Sequence, residues 1–251
     1  MKSTKLFSMG ILLVLSVLVP LSSVIAAAPL HGSVLVGHVF HTEGDLLYFV
    51  PESKDWVAAV SDAPFGIDDA YYSGEDGRAE FLLPNRTSLR IGPTTQVQLI
   101  TLNENLTQVD VAAGISRFFN DSETGIIKAT TPFGYVVAEY GSVFDVYVGD
   151  HSVEVIPIEG AVDFVSERGR RYPIDPGSSI IADAVMTTAG DGTLDSEWQY
   201  WNDQRDEFRA RRLEVKGQSV KYLPEGLYDQ SAALEEHGRW ESVHYEGQQR
   251  D

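Results

Sequence analysis

The chain contains no cysteine. That excludes disulfides, thiol catalysis, cysteine-ligated zinc and thiolate-bound iron–sulfur clusters. It also excludes a lipid anchor built on a processed cysteine. Positive charge is scarce: 19 Lys and Arg stand against 37 Asp and Glu, for a net charge of −18. A nucleic-acid partner needs clustered basic residues, so that function class is set aside. An anionic membrane surface is excluded for the same reason.

Catalytic signatures are missing as well. There is no G-x-S-x-G elbow, phosphate loop, dinucleotide fingerprint or H-E-x-x-H. Ser178 and Ser179 follow Gly177 but lack the second glycine, and Gly-Ser here reads as a turn. We therefore expect no enzyme and no cofactor; a carbohydrate-active enzyme is the distant alternative, because a glycosidase needs two facing carboxylates. His31, His38 and His41 form the one histidine cluster. His38 and His41 lie three apart, on opposite faces of an ideal strand, so no metal site is expected. The acidic stretch around Asp68, Asp69, Glu75 and Asp76 lacks calcium-loop spacing and reads as a solvated loop.

One long apolar run is present, at the N-terminus. Lys2 and Lys5 precede Met9–Val19, and small residues follow Pro20. This three-part pattern is that of a secretory signal peptide over residues 1–26, with cleavage after Ala26. An uncleaved anchor is the alternative reading. The expected location is exported, periplasmic or secreted, with no membrane span after cleavage.

The body of the chain is punctuated by turns about every ten residues, and its short segments alternate with period two. Ala79, Phe81 and Leu83 share one face; Thr87, Leu89 and Ile91 alternate with Ser88 and Arg90. Residues 33–40 and 46–50 read as a hairpin turned by Glu43-Gly44-Asp45. Residues 33–185 thus predict an all-β domain, a rolled antiparallel sandwich or solenoid. The period changes near residue 193. Leu194, Trp198, Trp201 and Phe208 fall on one helical stripe, and Ser196 with Gln199 fits a capping box. One amphipathic helix is expected over 193–216, then an extended polar and aromatic tail over 217–251.

The run Gly77–Pro93, GRAEFLLPNRTSLRIGP, resembles the core of a FecR domain. Val111–Gly114, where a strand is expected to end at the glycine, then Ala129–Pro132, Gly141–Val146 and Glu159–Val162 continue the likeness in order, over roughly residues 70–182. Trp198, Trp201, Arg205-Asp206, Lys221–Glu225 and Gly238–Trp240 resemble the region after the β-domain in exported bacterial FecR-like proteins of unknown function. The family's best-known members are periplasmic parts of anti-sigma regulators. That regulator plan needs a cytoplasmic part ahead of a membrane span, and only a few residues precede the apolar run here. Asn85-Arg86 replaces the usual Asp-Gly and predicts a looser hairpin. The resemblance implies a non-catalytic binding or scaffolding module contacting an envelope protein or cell-wall glycan. A signal-relay component is the alternative. Tyr71, Tyr72, Trp198, Trp201 and Trp240 are the candidate partner surface.

Overall fold

The computed structural model describes residues 35–214, 221–223 and 241. The signal-peptide segment, His31, Trp240 and nearly all of the tail lie outside the described residues.

Two sheets form a sandwich, and one strand belongs to both. The first sheet runs in the order β4 (Pro64–Phe65), β1 (Gly37–Glu43), β6 (Arg78–Leu82), β7 (Thr87–Ile91) and β9 (Leu106–Asn120). It continues through β12 (Ser142–Val148), β13 (Ser152–Glu159), β16 (Ser179–Asp183) and β17 (Thr187–Gly190). The second sheet runs β3 (Asp55–Ala58), β2 (Leu46–Val50), β5 (Ala70–Ser73), β8 (Gln96–Asn103) and β9. It ends with β10 (Ile126–Thr131), β11 (Gly134–Ala138), β14 (Val162–Ser166) and β15 (Arg171–Ile174). All pairings are antiparallel except β9 with β10. From β10 onward, successive hairpins alternate between the sheets, which gives the rolled all-β architecture its form.

The core lies between the sheets. Ala79, Phe81, Leu89, Ile91, Phe118, Phe144 and Val146 point inward from the first sheet, and all are at most 1% exposed. Tyr71, Val97, Leu99, Val109, Val111, Ile127, Val136 and Phe164 meet them from the second. Phe118 and Phe144 stack at 5.0 Å, and Phe65, Tyr71 and Phe81 form an aromatic knot. This is the expected use of alternating apolar positions, since two apolar sheet faces bury each other.

Three local expectations are corrected. β1 and β2 do not form a hairpin: β1 pairs with β4 and β6, and β2 with β3 and β5. The Gly44 turn, at φ +61°, carries the chain from one sheet to the other. Gly114 does not end a strand. β9 runs 15 residues and changes sheets there, with Gly114 at φ +88° and no room for a Cβ beside Thr95. Finally, a bulge at Phe40 sets His41 opposite Glu80 while His38 lies opposite Leu82. Both histidines therefore share a face, because the extra residue reverses the alternation.

Asn85-Arg86 makes the looser turn the sequence predicts. Pro84, Asn85 and Arg86 form a three-residue loop with Arg86 at φ +65°. The Asn85 side chain accepts from Thr87 and donates to Asn103 O and Thr107 Oγ1, tying this tip to β8 and β9.

Candidate binding surface

Helix α1 (Ser196–Glu214) lies on the outer face of the first sheet. Its N-cap is Asp195, not Ser196. The Asp195 carboxylate accepts from Trp198 N at 2.8 Å, and its carbonyl accepts the first helical bond from Gln199 N. The inward stripe is Trp198, Trp201, Asn202 and Arg205, all at most 6% exposed. Phe208 sits at the margin, 36% exposed. The helix thus buries aromatic and charged groups together, rather than a simple apolar stripe.

The sheet beneath answers with charge. Glu80, Arg90, Arg117 and Asp145 occupy directly opposed positions on β6, β7, β9 and β12. All four are at most 2% exposed. Arg117 grips Asp145 with two bonds, at 2.7 and 2.8 Å, and donates a third to Gln199 Oε1. Trp198 Nε1 donates to the same Asp145 carboxylate. Arg90 shares Glu80 Oε1, while Arg205 takes Glu80 Oε2 at 2.9 and 3.1 Å. Arg90 also donates to Asn202 and pairs with Asp206 at 2.7 Å. Burial pushes the Asp145 carboxyl above its ordinary range, against the pull of Arg117 and Trp198. Each buried charge thus has its counter-charge across a strand or from the helix, which such burial demands.

This arrangement corrects part of the candidate surface. Trp198 and Trp201 stack on each other at 5.3 Å and are 3% and 4% exposed, so both pack on their own domain. Tyr71 is 1% exposed, and its hydroxyl donates to Pro64 O. Burial and the nearby Asp69 raise its pKa. Trp240 lies outside the described residues.

Tyr72 alone of the five is placed at the surface. It is half-buried on the outer face of the second sheet, which no described helix covers. There it meets residues the sequence reading did not single out. Phe49 and Trp56 stand directly opposite each other on β2 and β3, with rings 5.3 Å apart. Trp56 contacts Tyr72 edge-on at 6.1 Å. Leu47 is opposite both Ala58 and Tyr72, and Gln96 flanks Tyr72 on β8. Exposed Glu52 and Asp55 border the cluster at the β2–β3 turn. The period-two pattern of LLYFV and DWVA held the signal, but strand pairing was needed to bring the rings together.

The remaining candidates are placed elsewhere. Asp69 accepts from Tyr48 and from Gly66 N, which fixes the β4–β5 turn. The bond to the Asp69 carboxylate raises the Tyr48 pKa. His41 bonds Glu43 at 2.8 Å. Among the described residues, no three His, Asp or Glu side chains converge as a metal site would require.

Comparison with known proteins is sparse. No family model matches the chain, and no curated protein matches it. Two crystal structures of a candidate anti-sigma factor from Parabacteroides distasonis ATCC 8503, at 2.50 and 1.65 Å, are similar to it. Each is 14% identical, with a TM-score of 0.46 over 53% of this chain. The match spans 63% and 64% of those chains, just under two thirds of their length.

Proposed function

We propose that this chain is a non-catalytic, FecR-like binding module that meets an envelope protein or cell-wall glycan with the sheet face that no described helix covers. The observation that carries this reading is the half-buried cluster of Phe49, Trp56 and Tyr72 on that face. The other outer face is occupied by α1. Aromatic rings with a polar edge favour neutral sugars or apolar protein patches. Acidic Glu52 and Asp55 beside them disfavour anionic polymers. Export rests on the N-terminal sequence pattern. Among the described residues, no helix is long and apolar enough to cross a membrane.

Signal relay, related to FecR anti-sigma regulators, is the second reading. The order of the motifs favours it: Gly77–Pro93 spans the β6–β7 hairpin, and later motifs fall on β9, β10, β12 and the β13–β14 turn.

The deciding experiment is co-sedimentation of the purified chain with peptidoglycan sacculi across a salt series, beside Trp56→Ala and Tyr72→Ala. Salt-resistant binding lost in both variants supports a glycan, since screening weakens only the electrostatic part. No sedimentation at any salt refutes the glycan, and a single protein crosslinked through this face supports an envelope-protein partner. Binding that ignores both substitutions refutes the proposed surface.

A further inference from the structure

A cleft of about 480 Å³ opens where the first turn of α1 meets the corner of β9 at Gly114. Ile115, Val148 and Trp198 give it an apolar wall, with Tyr147 beside them. The volume lies within the range of small-ligand sites.

Arg78 lines this cleft and is the anomaly. Carboxylates outnumber basic groups nearly two to one in the chain. Arg90 and Arg117 on the same sheet face, and Arg205 of α1 above it, are all paired. Arg78 has neither an ion pair nor a hydrogen bond among the described residues, and its Nε is buried without an acceptor. Glu43, opposite it in register, is hydrogen-bonded to His41 and reaches Arg78 only as a through-space charge. The Arg78 guanidinium lies 6.0 Å over the Trp201 ring, which holds it in place. A buried donor left unpaired costs about 1–3 kcal/mol, and an incoming carboxylate would remove that cost.

Two further features belong to the same cleft. Thr94 is a β-branched residue at φ +50°, a conformation its side chain disfavours and one often found at working sites. Asp195 and Glu197 bring negative charge to the wall formed by the helix. A plain anion would be repelled by those carboxylates, and a plain cation would leave Arg78 bare.

The geometry points to a binding site for a small zwitterion, an amino acid or short peptide. Its carboxylate would sit on Arg78, its ammonium toward Asp195 and Glu197, and its apolar side chain against Trp198 and Ile115. The site is distinct from the aromatic sheet face and does not depend on it.

The test is isothermal titration calorimetry of the full chain with L-alanyl-L-leucine, its C-terminal amide and its N-acetyl derivative. The free dipeptide binds, and the amide binds about tenfold more weakly because a charge-assisted contact is lost. Arg78→Met abolishes the heat, and Arg78→Lys keeps part of it. Glu197→Gln, an exposed change that spares the fold, weakens the dipeptide but not the acetylated form. No heat up to about 10 mM dipeptide overturns the site. So does an amide that binds equally well, or a folded Arg78→Met chain that binds as the parent does.

Discussion

Replacing Glu80 by Gln tests whether buried charge holds α1 to the sheet. The carboxylate is fully buried and serves Arg90 and Arg205, with Arg209 at 3.7 Å. Gln keeps the shape and loses the charge. Arg90 still has Asp206, but Arg205 loses its carboxylate while it remains 6% exposed. Breaking a buried pair from one side costs about 3–5 kcal/mol. Against a total stability of about 5–15 kcal/mol, that is a large fraction. For a domain of this size it corresponds to a fall in Tm of about 6–20 °C. Urea unfolding followed by circular dichroism gives the free energy. Tryptophan emission reports the helix, because Trp198 and Trp201 become wet if it leaves the sheet. The double change Glu80→Leu with Arg205→Leu should cost less than the sum of the single changes, since no lone buried charge remains. A Glu80→Gln chain within about 0.5 kcal/mol of the parent would refute the reasoning, as such values mark surface changes.

Three other outcomes follow from the geometry. The folded state raises the Asp145 pKa, so it binds that proton more tightly than the unfolded chain does. Stability from this group is then greatest at low pH and declines as pH rises from the ordinary carboxylate range through the folded value. Asp145→Asn should remove that component of the Tm-against-pH slope, and an unchanged slope would contradict the assignment. Arg86→Gly should stabilise the chain by up to about 1 kcal/mol, because φ +65° suits glycine; chemical denaturation measures it. Gly114→Ala should destabilise by at least about 2 kcal/mol in the same assay, from the left-handed backbone and the Thr95 contact.

The sequence by itself determined the all-β class and most strand positions. Ala79-x-Phe81 and Leu89-x-Ile91 can bury one face only as strands, so alternation was sufficient. It also determined that a helix follows near residue 196, from the spacing of Trp198 and Trp201. Tertiary structure decided the rest. Glu80, Arg90, Arg117 and Asp145 occupy the polar positions of their strands, where local pattern assigns them to solvent. They are buried because a helix 53 to 125 residues later in the chain lies over them and supplies Trp198, Gln199, Asn202 and Arg205. Likewise, Phe49, Trp56 and Tyr72 become one surface only through the pairing of β2 with both β3 and β5. Periodicity reports which face of an element is apolar. It carries no information about what, tens of residues away, covers the other face, and that contact decides whether a charge is a solvated ornament or a clamp.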